Sequence, residues 1–333
     1  MPTRYFREAF ALLAETHEVR YADADETSPY QPETPSERKL SEFLGSPRSL
    51  AAEMDGVEVL AVQGAPVTAE VLAAGGGLRL VACARGGPLN VDVEALSARG
   101  LPLVNTPGKN SEAVADLTIA FLVMLARGVP TAVRFLQEGR RVRDNWEGAQ
   151  FMGSDLRDHT LGLVGYGQVG QRVAQRAQGF GLGVLVYDPF VQADGPEQVQ
   201  RLDELLHRSD FVSLHARATP ATEKLIDAAA IAAMKPGAVL VNTARESLVD
   251  EDALHAALSS GHLGGAGLDV FDSPPAGERS RLLGHENVVL TPHIGGATRE
   301  TLKQGAEMLA AEIARFGAGE PLAHLVETVG VNA

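Results

Sequence analysis

The chain has 333 residues, 45% of them hydrophobic and 22% charged, the balance of a folded protein long enough for two domains. Its net charge of −14 argues against a nucleic-acid partner, since no basic surplus exists to displace counterions from a polyanion, and the short cluster Arg140, Arg141, Arg143 reads as a solvated helix end. The single cysteine, Cys83, excludes an intrachain disulfide, fits a cytoplasmic protein and lies in an apolar run as a core thiol.

In chain order, no basic region leads into an apolar stretch at the N-terminus, so no signal peptide is expected. A helix is predicted at 5–15 and a short strand at 17–21. Residues 22–49, rich in Pro, Glu and Ser, read as a surface excursion. Val/Leu runs at 57–62, 78–84 and 101–105 then alternate with helical stretches. A long helix follows at 111–127, with Ser111 placed to cap it. Its apolar stretch, 117–126, is half of what a membrane span needs, so no membrane partner is expected. Trp146, the sole tryptophan, is expected at a domain seam. Six further runs, at 160–164, 183–187, 211–215, 238–242, 265–270 and 288–291, are continuously apolar, as strands buried on both faces should be. Strands alternating with helices imply βαβ units around parallel sheets. A second long helix is predicted at 298–316, after Gly295-Gly296. The two long helices divide the chain into a first domain of 1–109 plus 297–333 and a cofactor domain of 110–296. The nine histidines show no ligand-like spacing, so no metal is expected.

The segment Leu161-Gly162-Leu163-Val164-Gly165-Tyr166-Gly167-Gln168-Val169-Gly170 sets a G-x-G-x-x-G between a strand and a helix. Gly165 allows the tight turn, Gly167 lets backbone approach a pyrophosphate, and Gly170 permits close helix–strand packing. The helix that follows, read at 171–179, offers free N–H groups and a positive dipole end to the same phosphates, with Gln168 and Val169 also expected at the cofactor. Asp188 closes the next strand, where a carboxylate accepts hydrogen bonds from ribose hydroxyls and repels a 2′-phosphate. Pro189-Phe190 supplies no arginine to offset it. NAD is favoured over NADP.

Three later segments begin in or just after strands of the same sheet: Val241-Asn242-Thr243-Ala244-Arg245, Gly267-Leu268-Asp269-Val270-Phe271, and Leu290-Thr291-Pro292-His293-Ile294-Gly295-Gly296. Their order behind the glycine fingerprint resembles the D-isomer-specific 2-hydroxyacid dehydrogenases, over about residues 57–298. The resemblance implies an α/β protein of two doubly wound parallel-sheet domains, a Rossmann NAD domain and a flavodoxin-like substrate domain, with a cleft between them. It implies a homodimer and a small 2-hydroxy or 2-keto acid as substrate. His293 takes the place of the general acid/base, suited by an imidazole that titrates near neutrality. Arg245 takes that of the arginine on the substrate carboxylate, where a guanidinium fork serves better than lysine. Asp269 resembles the residue that holds the nicotinamide carboxamide. Thr243, Ala244, Gly296 and His293 fall beside the cofactor; His215 matches a position there too, but a structural role is the reading favoured for it. The loop Arg85-Gly86-Gly87-Pro88 resembles the one whose N–H groups bind the substrate carboxylate.

One departure from the family pattern bears on the chemistry. Relatives carry a glutamate paired with the histidine where this chain has Pro274, and proline cannot orient an imidazole; Asp272 or Glu278 are the nearby substitutes. Glu246 follows Arg245 where glycine is common. The alternatives are a D-3-phosphoglycerate dehydrogenase and a catalytically weak NADH-sensing protein of the co-repressor type.

Overall fold

The computed structural model describes residues 3–23, 32–41, 43–143, 148–272 and 280–326. The chain divides into two compact units, Met1–Lys109 with Thr298–Ala333, and Asn110–Ala297.

The larger unit is built on a seven-stranded sheet, all of whose pairings are parallel. The strands are β4 (Thr160–Val164), β5 (Gly183–Tyr187), β6 (Glu197–Gln198), β7 (Phe211–Leu214), β8 (Val239–Asn242), β9 (Gly265–Leu268) and β10 (Val288–Leu290), in the spatial order β10-β9-β8-β7-β4-β5-β6. The chain leaves β4 in one direction through β5 and β6, then returns to β7 on the other side of β4. That reversal puts a topological switch point between β4 and β7, at whose carboxyl edge ligands bind in such sheets. β7, β8 and β9 are buried along their whole length, which is why their sequences are continuously apolar.

The helix Ser111–Ala126 crosses one face of this sheet. Its Phe121 and Leu125 explain why β9 opens Gly-Ala-Gly, a poor strand sequence by propensity. A Cβ on Gly267 would lie 2.8 Å from Phe121 Cβ, and one on Gly265 would lie 3.2 Å from Leu125 Cδ2. The helix Gln168–Gly179 packs beside it, joined by Arg176 to Glu112 at 2.7 Å and to Asp116 at 2.6 Å. These pairs are largely exposed and add little beside the apolar contact of Val173, Ala174 and Ala177 with Ile119 and Leu122.

The smaller unit holds three parallel strands in chain order, β1 (Val59–Val62), β2 (Leu80–Cys83) and β3 (Leu103–Val104). One face packs with Met54, Val71, Leu72 and Leu96. The other packs Leu80, Ala82 and Val104 with Leu309 of the helix Arg299–Ala318, which Thr298 caps through the Thr301 N–H. Glu312 of that helix, almost fully buried, accepts from the Ala323 N–H at 3.0 Å and fixes the returning C-terminal segment. Cys83 is buried, its thiol pushed up to about 11 by that burial, as befits a core thiol.

Several expectations are corrected. The helix predicted at 5–15 stops at Ala9, and a separate 3-10 turn follows at Leu13–Glu15. No strand forms at 17–21: the His17 N–H bonds back to the Leu13 carbonyl, and the segment finds no ladder partner. Ser111 does not cap its helix; Asn110 holds the cap position without a side-chain bond. Arg140 does lie past a helix end, that of Val129–Gln137, stacked on Phe135. Trp146 falls outside the described residues.

Gly267→Val is expected to overpack against Phe121 and destabilise the protein by about 1–3 kcal/mol. Thermal unfolding checks this; a wild-type Tm would mean that the 111–126 helix is not seated on β9 as described.

Candidate active site

Parallel pairing puts Leu290, Leu268, Asn242, Leu214, Val164 and Tyr187 in one register across six strands. All end at the same edge of the sheet. Just past these strand ends lie the residues singled out from sequence: His293, Asp269, Arg245, His215, Gly165 and Asp188.

At β4 the chain turns through Gly165, whose φ of +99° suits glycine alone. A Cβ there would sit 2.7 Å from the His215 carbonyl carbon, and one on Gly170 would sit 2.3 Å from the Gly165 oxygen. Both glycines are therefore demanded by the fold. Gly167 is different. It is exposed, its φ is −72°, and a Cβ on it would meet nothing within 4 Å. It begins the helix Gln168–Gly179 with no side-chain cap, leaving first-turn N–H groups without an intrahelical acceptor. This is a cradle that the protein leaves open and that a Cβ would fill, and it fits the pyrophosphate of NAD.

The Asp188 carboxylate is already engaged by backbone. Oδ2 accepts from the Tyr166 N–H at 2.7 Å, and Oδ1 from Phe190 and Val191 N–H at 2.8 and 2.9 Å. It thus ties the glycine turn to the end of β5, and Oδ2 keeps an acceptor position. His215, at the switch point, lies 2.9 Å from Ser213 Oγ through Nε2. Burial of its ring pushes its pKa down to about 3, so it is neutral.

The β8 exit is organised by Asn242, which is buried. Its Oδ1 accepts from the Ala244 N–H at 3.0 Å, and its Nδ2 donates to the Arg245 carbonyl at 2.8 Å. The Thr243 hydroxyl turns inward to Thr118 Oγ1 at 3.0 Å, so that side chain is committed to the 111–126 helix. Arg245 is half-buried, and its guanidinium donates to the Ala244 carbonyl at 2.7 Å.

Beside it, the buried Asp269 carboxylate gathers the turn after β10. Oδ1 accepts from Thr291 Oγ1 at 2.6 Å and the Ile294 N–H at 2.8 Å, and Oδ2 accepts from the Gly295 N–H at 2.7 Å. A Cβ on Gly295 would come within 2.8 Å of Oδ2, so glycine is required for that bond. Gly296 leaves room for Asn110. Within this turn His293 takes a φ of +55°, uncommon outside glycine, while its N–H donates to the Asp269 carbonyl at 3.0 Å. Its ring is exposed and has no hydrogen-bond partner among the described residues. Asp272 therefore does not stand in for the relatives' glutamate here; its own N–H donates to Glu251, whose carboxyl burial pushes up. Pro274 and Glu278 lie outside the described residues. Asn242, Thr291 and Gly295 were not identified from sequence, though each sits inside one of the three motifs that follow the glycine fingerprint.

In the smaller unit the loop Arg85–Pro88 leaves β2 at the carboxyl edge of its sheet. The Gly86 carbonyl accepts from Asn105 at 2.8 Å, while the Gly86 and Gly87 N–H groups donate to no acceptor among the described residues.

Since the fold has no use for a bare Gly167, Gly167→Ala is expected to keep the wild-type Tm while NADH affinity, read by fluorescence titration, falls at least tenfold, about 1.4 kcal/mol. Unaltered NADH affinity would mean that no ligand approaches this turn.

Residues 119–295 match the family model described as the D-isomer specific 2-hydroxyacid dehydrogenase NAD binding domain. The chain is 41% identical over 258 residues to the hydroxypyruvate reductase of Thermotoga maritima, covering 76% of this chain and 83% of that one. It is 41% identical over 275 residues to the D-3-phosphoglycerate dehydrogenase of Mycobacterium tuberculosis, covering 81% of this chain but only 51% of the longer relative. A D-lactate dehydrogenase structure from Aquifex aeolicus, complexed with NAD and lactic acid, superposes with a TM-score of 0.74 at 26% identity, over 100% of this chain and 98% of that one. Similarity of this strength, spread over three quarters of the sequence, establishes descent: the chain belongs to the D-isomer specific 2-hydroxyacid dehydrogenase family, NAD-dependent oxidoreductases acting on CH–OH groups.

Proposed function

We propose that this chain interconverts a small 2-keto acid and its D-2-hydroxy acid, with His293 as acid/base and Arg245 binding the carboxylate. The observation that carries this reading is the shared register of the strands, which delivers Arg245, Asp269 and His293 from three adjacent strands to the edge that also bears the glycine turn.

Bound NAD supplies or accepts the hydride at C2. The His293 ring, exposed and unpartnered among the described residues, is available to protonate the C2 oxygen during reduction and to remove the hydroxyl proton during oxidation. Arg245, its backbone fixed by Asn242, offers a bidentate fork to the carboxylate. In the smaller unit, the Gly86 and Gly87 N–H groups and Arg85 form a separate set of donors suited to a carboxylate. Gly167, Gln168, Val169 and the Asp188 carboxylate would hold the phosphates and ribose, with neutral His215, Ala244 and Gly296 alongside and only the backbone of Thr243. Asp269 Oδ2, with one protein donor, keeps an acceptor position for the carboxamide.

Hydroxypyruvate, from the name of the Thermotoga relative, is the first substrate to assay. A phosphorylated hydroxypyruvate is the second, suggested by the name of the Mycobacterium relative, with Arg85 as the candidate cation for its phosphate. The apolar side chains exposed on the Val129–Gln137 helix, Val133 and Leu136, support a homodimer, and the lone buried cysteine suits the cytoplasm.

In keto-acid reduction, His293→Asn should lower kcat by about 10²–10⁴ with NADH affinity retained. Arg245→Lys should raise the keto-acid KM by about 10–100-fold through loss of charged hydrogen bonds. Steady-state kinetics with hydroxypyruvate separates the two; a kcat in His293→Asn within a few-fold of wild type would remove the acid/base assignment.

A further inference from the structure

Lys109 lies in the segment after β3, and its side chain turns under the loop after β2. The ammonium donates to the Ala84 carbonyl, and the residue is only 8% exposed. Among the described residues no carboxylate pairs with it. The titratable groups that bear on it are Arg85, of like sign, and the Cys83 thiol, which burial keeps protonated. From the other side, Gly305 of the Arg299–Ala318 helix closes over its stem, a Cβ there lying 2.9 Å from Lys109 Cδ. The charged neighbours of Gly305 on that helix are otherwise engaged: Lys303 and Glu307 face each other at 3.7 Å in solvent, and Glu312 holds the Ala323 N–H. A buried ammonium without an anion is costly, and burial has pushed its pKa down to about 8.

A second observation points to the same place. Continued by one residue beyond β1 and two beyond β3, the ladder sets Gln63, Ala84 and Thr106 in a row across the carboxyl edge of the sheet. Their side chains share the face on which Ala82 and Val104 meet the 299–318 helix. Gln63 Oε1 and Thr106 Oγ1 are both buried without a hydrogen-bond partner. Around one loop, then, the protein gathers an ammonium without a counter-ion, two unsatisfied polar side chains and two uncommitted N–H groups.

We propose that Lys109 is a positioning residue for the substrate carboxylate: it clamps the Ala84 carbonyl so that the Gly86 and Gly87 N–H groups face the anion, and that anion is its missing counter-charge. This rests on the reading of Arg85–Gly87 as a carboxylate loop. Charge behind a row of amides strengthens anion binding in a medium of low dielectric. As pH rises through about 8 the ammonium loses its proton, and anion binding weakens. The Cys83 thiol, at about 11, titrates outside this window.

The stability consequence has the opposite sign. Because the folded pKa lies below the ordinary lysine value of 10.5, the fold disfavours the charged form, and stability rises between pH about 8 and 10.5. Lys109→Met therefore removes a buried charge, and its Tm at pH 7 should match or exceed the wild-type value. A lysine kept for structure alone would lower Tm when lost.

The test is calorimetric titration of oxalate, a keto-acid mimic, into the NADH-loaded protein between pH 6.5 and 9.5, with His293→Asn as background so that the imidazole does not titrate. Oxalate affinity should fall above pH 8, by up to about tenfold per unit for one linked proton. With Lys109→Met added, affinity at pH 7 should drop at least tenfold and lose its pH dependence. Affinity that stays flat to pH 9.5 overturns the proposal even if the Met variant fails to fold, as does a Lys109→Met variant that binds oxalate normally. Arg85→Gln separates the underlying reading: if it alone weakens oxalate binding, the carboxylate loop stands without Lys109, and if neither variant does, the loop reading falls too.

Discussion

The carboxylate of Asp269 is the interaction on which the catalytic edge depends. It is buried at the end of β9 and accepts from Thr291 Oγ1 and from the Ile294 and Gly295 N–H groups, drawing the chain after β10 into a tight turn. Without those three acceptor bonds, the His293 backbone would have little reason to remain at a φ of +55°. A buried carboxylate needs such donors as much as the turn needs an acceptor, since an unpaired charge at this depth is not tolerated. The resemblance assigns Asp269 to the nicotinamide carboxamide, and the protein bonds give it a second task, to fold the turn that carries His293.

The same edge shows how one glycine fingerprint serves both fold and ligand. Gly165 and Gly170 are required by the fold, one by a positive φ and the other by the Gly165 oxygen against its Cα. Gly167 is required by neither, and its open space is what the proposed pyrophosphate contact would use. Asp188 likewise works for the protein first, bracing the glycine turn through Tyr166, and keeps acceptor capacity for a ribose hydroxyl. Sites of this kind are supported from below by bonds that need no ligand, which is what holds them ready when one arrives.

Much of this was legible in sequence because the larger sheet is buried on both faces. Its apolar runs at 160–164 and 183–187 coincide with β4 and β5 as observed, and parallel pairing carried the motifs at their ends to one edge without further specification. The helix read at 171–179 starts three residues earlier, at Gln168, and Thr298, read as the first residue of its helix, caps it. What escaped is what local pattern does not encode. The segment 17–21 has strand-like residues, but it joins no ladder among the described residues. Ser111 has the right chemistry for a cap, yet the helix begins one residue earlier in register than that role needs. Lys109 carried no signal at all, because a lysine becomes unusual only when a distant part of the chain, the helix bearing Gly305, buries it.

Replacing Asp269 by asparagine tests the central relation most directly, because the amide keeps the volume and removes the charged acceptor. With the glycine cradle untouched, NADH should still bind, and kcat for hydroxypyruvate reduction should fall by about two orders of magnitude, the scale of a misplaced acid/base group. An Asp269→Asn enzyme that reduces hydroxypyruvate at a rate within about threefold of wild type would show that the imidazole reaches its place without this carboxylate.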